Sequence, residues 1–341
     1  MVATTVSPRD ILVGDLRREF ILTSADEWIL DIPGGSLLNS AAGYLTWEQE
    51  LRPGFLTRVG EDFPELWLED FEGRGIDTQG VIVLPRSLDL RSLTILEGKE
   101  VHQEPEPLAV LSRRGVSLPS ELLGYENRWP PKSSRTERLD VAIREAEIPR
   151  AYHSATGAHI CPLDYLSHSL LPAMLRGKGF STITLDPCSS YMIPDFFGDF
   201  PSLLPGLTAI LPSEDDLLNL YKGKTRDLWE IASDLGHYGC ELVVIKCGGR
   251  GQLLYESASG RKWEIPSYPS RVVDPSGAGD AFCGGFLAGF RNSFDPLEAV
   301  LRAGVSASLK IEGHGALFGL GALPGLAEMR LDFLRANARE V

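Results

Sequence analysis

Near its C-terminus the chain reads Val272-Val273-Asp274-Pro275-Ser276-Gly277-Ala278-Gly279-Asp280-Ala281-Phe282. The β-branched pair predicts the end of a strand, and the apolar residues after the turn predict a helix. Glycines in the turn let backbone N–H groups converge on one point, because no Cβ blocks the approach. Such N–H groups at a helix N-terminus form a binding site for an anion. Asp280 therefore places a carboxylate beside a site for negative charge, which indicates a base that deprotonates a hydroxyl group attacking a phosphate.

The predicted helix after this turn is rich in small residues. Five of its positions carry no side chain larger than a methyl group: Ala281, Gly284, Gly285, Ala288 and Gly289. Residues of this kind permit another backbone to approach closely. The alternative is a plain strand–turn–helix junction in which Asp280 only caps the helix. The density of small residues favours the functional interpretation.

Strands and helices alternate over the second half of the chain. Strands are predicted at 151–154, 182–185, 209–211 and 242–246, and helices near 164–175, 214–221, 225–235, 278–290, 296–311 and 326–336. This spacing is typical of βαβ crossovers, which produce a parallel sheet covered by helices on both faces. The predicted fold class is α/β, a doubly wound and mostly parallel αβα sandwich. Ligands of such sheets gather outside the carboxyl ends of the strands.

The N-terminal third predicts a small β-sheet lid on this single domain of residues 1–341. Segments 19–23 and 27–32 are candidate strands of one antiparallel pair, and segments 81–84 and 93–96 of a second. The lid would therefore comprise segments of approximately 15–32 and 80–115. Prolines punctuate the charged stretch 98–136, which predicts a loop or an elaboration of the lid.

Composition excludes several functional classes. The net charge of −14 argues against nucleic acid as a partner, since phosphate backbones are bound by clusters of Lys and Arg. No basic stretch followed by an apolar run opens the chain, and no apolar stretch reaches ~18 residues, so neither a signal peptide nor a membrane helix is expected. The five cysteines are widely spaced without a Cys-x-x-Cys pair, which predicts a cytoplasmic protein with reduced thiols.

Two more glycine-rich turns could join the site. Gly34 and Gly35 open a predicted helix, with Asn39 about one turn inside it as both a donor and an acceptor for a hydroxyl group. The alternative is a plain helix entry with Asn39 on the surface. A strand ending at Lys246 leads into a turn containing Gly248, Gly249 and Gly251, over which a nucleotide could lie. A tight turn with a lysine at a strand end is the alternative there, and neither turn has the Gly-x-Gly-x-x-Gly spacing of a dinucleotide site.

Taken in order, these motifs resemble the ribokinase-like carbohydrate kinases, also called the PfkB family. The resemblance covers almost the whole chain: Gly34-Gly35, Val59-Gly60-Glu61-Asp62, Gly75-Ile76-Asp77-Thr78, the turn after Lys246 and the signature that ends at Asp280. It implies a doubly wound αβα domain with a β-sheet lid. It also implies transfer of the γ-phosphate of ATP, with Mg²⁺, to a hydroxymethyl group.

The resemblance assigns roles by position. Asp280 would be the base, and the backbone of Gly277, Ala278 and Gly279 the anion hole. Asp274 would bind a monovalent cation such as K⁺. Gly34, Gly35 and Asn39 would contact sugar hydroxyl groups. Nucleotide contacts would come from Lys246, Gly248, Gly249, Gly251, Gly313 and Gly315.

Three positions depart from the family pattern. Ser213 and Asp216 stand where the family commonly has Asn-x-x-Glu, so Ser213 would lie at the nucleotide site and Asp216 would hold Mg²⁺ through water. Glu19 stands where the lid usually carries an Asp that holds sugar hydroxyl groups. Pro275 replaces a frequent Thr, which removes one N–H and one hydroxyl group.

The expected substrate is a small sugar or a sugar acid, and Arg17 could pair with the carboxylate of the latter. A nucleoside is the alternative, with Phe20 and Trp28 as candidate stacking residues. An alternative of another class is a non-catalytic relative that binds a ligand, which the intact Asp280 signature disfavours. A lid with an exposed apolar face further predicts a homodimer.

Overall fold

The computed structural model of the chain describes residues 7–98, 100–102, 107–126 and 133–341. The strands are β1 (Asp10–Val13), β2 (Arg17–Leu22), β3 (Trp28–Gly34), β4 (Gly54–Gly60), β5 (Val81–Leu84), β6 (Arg91–Glu97), β7 (Glu100–His102), β8 (Gly157–Ile160), β9 (Thr182–Leu185), β10 (Ala209–Ile210), β11 (Leu242–Lys246), β12 (Gln252–Glu256), β13 (Lys262–Ile265) and β14 (Arg339–Glu340). The helices are α1 (Ser36–Leu45), α2 (Glu65–Gly73), α3 (Pro107–Arg114), α4 (Tyr165–Gly177), α5 (Glu214–Leu220), α6 (Leu228–His237), α7 (Ala278–Ser293), α8 (Pro296–Lys310) and α9 (Leu326–Asn337).

A ten-stranded sheet forms the centre of the described chain, in the order β14-β13-β12-β11-β10-β9-β8-β1-β4-β5. The seven strands from β11 to β5 are parallel, and β12, β13 and β14 extend the sheet by antiparallel pairing. Neighbouring residues of a strand face opposite sides, so an unbroken apolar strand must be covered on both faces. In β1, for example, Ile11 and Val13 pack with α4, α5 and α6, whereas Leu12 packs with α1 and α7. The predicted doubly wound αβα sandwich is confirmed.

The lid is a separate four-stranded sheet in the order β3-β2-β6-β7. Its strand pairs are antiparallel except for β2 and β6, which run parallel. One face carries an apolar cluster of Phe20, Leu22, Leu93 and Ile95, which α3 and the turn after it cover with Val110, Leu111 and Leu122. Residues of the same chain therefore cover the apolar face of the lid. The prediction of a homodimer assumed that this face was exposed, so it loses that support.

Two sequence predictions about strands are wrong. Segments 81–84 and 93–96 do not pair, because β5 joins β4 in the large sheet through the α2 crossover while β6 joins β2 in the lid. Segment 151–154 is not a strand but lies within a 3₁₀ turn, Arg150–Ser154, with β8 beginning at Gly157. The turn is held by Tyr152, whose buried hydroxyl donates to the Asp77 carboxylate at 2.8 Å.

The remaining predicted strands and helices of the second half are present with small shifts at their ends. The stretch 98–136 is partly described, and its residues 99, 103–106 and 127–132 lie outside the described residues. Among the helices that the structure describes, none is both long and apolar enough to cross a bilayer.

Candidate active site

Helices α1 and α7 pack with their backbones in contact. A Cβ on Gly43 of α1 would lie 1.9 Å from the carbonyl oxygen of Ala281, and one on Gly284 of α7 would lie 1.7 Å from that of Ser40. The Ser40 hydroxyl also donates to the carbonyl oxygen of Asp280 at 3.1 Å. The small residues noted in the sequence therefore bring the N-terminal ends of the two helices together, and these ends carry Asn39 and Asp280.

The predicted anion-binding turn before α7 is a tight, hydrogen-bonded turn. Gly277 has a φ of +69°, and Asp274 accepts hydrogen bonds from the N–H of Ser276 at 3.0 Å and from its hydroxyl at 2.5 Å. A Cβ on Gly277 would lie 2.2 Å from Asn39 Oδ1. Only glycine fits this position, because the conformation is left-handed and the Asn39 amide fills the space beside it.

A polar cavity of about 150 Å³ lies on one side of this turn. The lid contributes Arg17, Glu19, Ser92, Thr94 and Tyr125 to its wall. The main domain contributes Asp15, Gly35, Asn39, Gly277 and Asp280. Side chains of the lid and of the main domain that can hydrogen-bond a hydroxylated ligand thus surround the candidate base.

Two carboxylates bind the N-terminus of α1 inside this cavity. Glu19 Oε1 accepts from the N–H of Gly35 at 2.9 Å, and Asp15 Oδ1 accepts from the N–H of Ser36 at 3.3 Å. The partial positive charge of the helix end favours both. Arg17 Nε donates to the second oxygen of Asp15. Gly34 lies behind Glu19, where a Cβ would overlap the carboxylate, so it makes room for Glu19 and does not line the cavity.

Asn39 is buried and offers one unused acceptor. Its Nδ2 donates to the carbonyl oxygen of Gly35 at 2.9 Å. Its Oδ1 has no hydrogen-bond partner among the residues that the structure describes. An unpaired polar atom in the interior is unfavourable unless a ligand completes it, so Oδ1 is suited to receive a hydrogen bond from a hydroxyl group in the cavity.

The Asp280 carboxylate has the electrostatic character of a general base. Burial and, to a smaller extent, the nearby Asp186 raise the pKa of Asp280 to about 8, against the opposing effect of Lys246. A base is most effective when its pKa lies near the working pH. The carboxylate can therefore accept a proton near neutrality more readily than an exposed aspartate could.

Lys246 lies beneath the same turn in an ion pair with Asp186. The Nζ–Oδ2 distance is 2.5 Å, and Cys283 Sγ lies 3.6 Å from Nζ. Asp186 raises the pKa of Lys246 against the opposing effect of burial, so the ammonium group stays charged. A Cβ on Gly279 would lie 3.4 Å from Nζ. The predicted phosphate-binding lysine is thus already paired, and it brings positive charge close to the turn.

A larger cavity of about 890 Å³ lies on the other side of the turn. Its wall includes Ala278 and Gly279 together with the predicted Lys246, Gly248, Gly249, Gly251 and Ser213. Helix α8 adds Gly304, Ala307 and Ser308, three small residues on one face. A cavity of this size accommodates a nucleotide, and the anion-binding turn separates it from the smaller cavity.

The other predicted residues lie elsewhere. Gly313 packs against the Phe318 ring, and Gly315 packs beside Ile32 of the lid, so neither lines the larger cavity. Phe20 is fully buried in the lid cluster and the partly buried Trp28 packs against that cluster, so neither ring lines the smaller cavity.

The carboxylates at the start of α5 suit a magnesium ion carried by a nucleotide. Asp215 lines the larger cavity, whereas Asp216 does not line it and accepts from the Ser213 hydroxyl at 2.6 Å. Within the described part of the chain, no three His, Cys, Asp or Glu residues cluster as a metal cage. Mg²⁺ commonly binds substrate phosphates and water with few protein ligands, and this donor set fits that arrangement.

Asp15, Asp186 and Tyr125 are site residues that were not predicted from the sequence. Asp15 lies two residues after the buried strand β1, and an acid at the carboxyl end of a parallel strand is a signal that could have identified it. Asp186 directly follows β9. Tyr125 comes from the proline-punctuated stretch 98–136, where no periodic pattern marks it.

Comparison with known proteins identifies kinases that are similar to this chain. The family model "pfkB family carbohydrate kinase" matches residues 163–321. A 5-dehydro-2-deoxygluconokinase of Lacticaseibacillus casei is 30% identical over 323 residues, which span 90% of this chain and 88% of that protein. A cytidine kinase of Thermococcus kodakarensis is 27% identical over 282 residues, or 82% of this chain and 87% of that protein.

The fold is shared with a solved structure. A protein from Escherichia coli described as a ribokinase II, in complex with ATP and Mg²⁺, superposes with a TM-score of 0.68 at 17% identity, covering 97% of this chain and 99% of that one. Together with the near full-length relative at 30% identity, the matching family model shows that this chain belongs to the PfkB family of carbohydrate kinases, which are phosphotransferases.

Proposed function

We propose that this protein transfers the γ-phosphate of ATP to a hydroxymethyl group of a small sugar or sugar acid. The observation that carries the proposal is the position of Asp280. Its carboxylate lines the small polar cavity, and the two residues before it, Ala278 and Gly279, line the larger one. An acceptor hydroxyl and a terminal phosphate could therefore meet at the turn from opposite sides.

Each part of the site has a chemical task in this reaction. The acceptor hydroxyl donates its proton to the Asp280 carboxylate as it attacks phosphorus. N–H groups of Gly277, Ala278 and Gly279 stabilise the charge on the transferring group, because the first N–H groups of a helix lack intrahelical partners. Lys246 adds positive charge beneath the turn. Phosphoryl transfer depends mainly on such positioning and charge stabilisation.

A bound magnesium ion would neutralise charge on the nucleotide phosphates. Asp216, through water, and Asp215 on the cavity wall are the residues that would hold it. The nucleotide itself would lie over the turn of Gly248, Gly249 and Gly251, with the small face of α8 beside it.

Charge favours a neutral sugar over a sugar acid. Asp15, Glu19 and Asp280 all line the acceptor cavity, and among the described residues its guanidinium group is that of Arg17, which is engaged with Asp15. A substrate carboxylate would meet more negative than positive charge. Similarity to a 5-dehydro-2-deoxygluconokinase nevertheless makes a sugar acid the competing candidate substrate.

A nucleoside is the second candidate, supported by the similarity to the cytidine kinase. Two features of the acceptor cavity argue against a nucleoside. Its volume is only about 150 Å³, and its wall has few apolar groups, with Tyr125 as the one aromatic residue among those described. Typical sites for drug-sized ligands measure roughly 300–1,000 Å³. The cavity therefore suits a monosaccharide better than a sugar joined to a base.

The test is ATP turnover against a panel of neutral sugars, sugar acids and nucleosides, with Asp280→Asn as the inactive control. We expect the highest kcat/KM with a neutral sugar, and an Asp280→Asn kcat lower by about 10²–10⁴-fold with ATP binding retained. Turnover by Asp280→Asn within about tenfold of wild type would contradict the role of the base. ATP or ligand binding without turnover of any compound would instead indicate a binding protein.

A further inference from the structure

Three buried polar atoms face one another behind the anion-binding turn. They are Asp274 Oδ2, Lys310 Nζ and His314 Nδ1, and none has a hydrogen-bond partner within the described residues. Lys310 Nζ lies 3.9 Å and His314 Nδ1 3.5 Å from Asp274 Oδ2. Neither distance is that of a direct hydrogen bond, so the contact between Lys310 and Asp274 is mainly electrostatic.

Lys310 is the last residue of α8, and its side chain is 3% exposed. A lysine is rarely buried to this degree without a paired acid. Burial lowers the pKa of Lys310, whereas Asp274, Glu19 and Asp280 act in the opposite direction. Carboxylates of the turn, the lid and α7 therefore favour the charged form of the Lys310 side chain.

Asp274 needs a positive charge beside it. Its Oδ1 holds both the N–H and the hydroxyl of Ser276 and so fixes the residue that precedes Gly277. The carboxylate is fully buried, and an uncompensated buried charge is strongly destabilising. Lys310, whose Nζ lies 3.9 Å from Oδ2, is placed to supply this charge.

The family resemblance implies a monovalent cation at Asp274, but the residues present do not fit one. A cation at Oδ2 would lie next to the Lys310 ammonium group, and like charges repel strongly where water is excluded. Pro275 also lacks the hydroxyl oxygen that the frequent Thr could offer to a cation as a ligand.

We propose that the Lys310 ammonium group takes the place of a monovalent cation and holds Asp274 and the anion-binding turn in position, so that the enzyme works without K⁺. Lys310 is thus a positioning residue for phosphoryl transfer. The inference rests on the proposed function for its link to catalysis, but its cation-binding half can be tested without turnover.

The first test compares the wild-type enzyme in tetramethylammonium, Na⁺ and K⁺ salts at equal ionic strength. We expect the same melting temperature in all three salts, since an ion stabilises a protein in this way only when the folded form binds it. We also expect the kcat values in the three salts to agree within about twofold, a difference much smaller than the effect of losing a catalytic group. A K⁺-specific rise in melting temperature overturns the inference, even if no substrate is turned over and the proposed function fails.

The second test removes the charge. Lys310→Ala should lose at least about tenfold in kcat in tetramethylammonium salts, and NH₄⁺ or K⁺ should restore part of the loss by entering the space that the side chain leaves. The exposed control Lys222→Ala should behave as wild type in every salt. Wild-type kcat of Lys310→Ala without added cation overturns the inference, as does a loss that neither ion restores. Where Lys310→Ala does not fold, the salt comparison on the wild type decides.

Discussion

Gly43 of α1 and Ala281 of α7 are in direct backbone contact, with the carbonyl oxygen of Ala281 1.9 Å from the position that a Cβ on Gly43 would occupy. Gly43→Ala must push the two helices apart. We expect a loss of about 1–3 kcal/mol in the free energy of unfolding, measured by denaturant titration, together with a lower kcat.

Gly73→Ala is the matched control, because a Cβ there meets nothing within 4 Å at the end of α2. It should leave kcat unchanged. Equal effects of the two variants would contradict the claim that contact between α1 and α7 aligns Asn39 with Asp280.

The raised pKa of Asp280 has a consequence for stability. Burial is the largest cause of the rise to about 8. Between its ordinary value, near 4, and about 8, the folded protein holds a proton that the unfolded chain has released. Stability therefore falls as the pH rises through this window. At pH values above about 8, Asp280→Asn should melt at a higher temperature than wild type, and the difference should shrink as the pH approaches 4.

Asp332→Asn, at a side chain that is 77% exposed, is the control for this experiment. A melting difference between Asp280→Asn and wild type that is the same at every pH would contradict the assignment. In the wild type, kcat/KM should rise with pH and level off above about 8, because only the deprotonated carboxylate accepts a proton.

Glu19→Asp should change the choice of acceptor more than the affinity for ATP. The shorter side chain withdraws the carboxylate from the Gly35 N–H, which it now accepts at 2.9 Å, and alters the wall of the acceptor cavity. We expect the ratio of kcat/KM between two sugars to shift while the KM for ATP stays within about twofold. A change in the KM for ATP alone would show that Glu19 does not serve the acceptor site.

Tyr125→Leu should raise the KM for the acceptor several-fold, because it removes one wall of the cavity and the hydroxyl that accepts from the Leu93 N–H at 3.2 Å. The half-exposed Tyr238, remote from both cavities, provides the control variant Tyr238→Leu. Equal acceptor KM values for the two variants would show that the stretch 98–136 does not shape substrate choice.

Local patterns predicted much of the site. The residues Gly277-Ala278-Gly279 predict a turn, because only glycine readily adopts the left-handed backbone conformation that such a turn requires. Alternating strand and helix periods predict a parallel sheet. The role of Gly34 differs from the prediction, since it accommodates Glu19 and does not line the cavity. The contact between Gly34 on β3 and Glu19 on β2 depends on how the two strands pair, so no pattern of neighbouring residues predicts it.

The sequence by itself determined the αβα class and the family, and it predicted the position of Asp280 at an anion-binding turn, because each follows from neighbouring residues and their order. Tertiary structure alone decided that β5 joins the large sheet, that Lys246 pairs with Asp186, that Tyr125 reaches the acceptor cavity and that Lys310 faces Asp274. The physical reason is that burial, charge compensation and strand pairing act between residues far apart in the chain. They depend on which surfaces meet when the sheet and the lid are assembled.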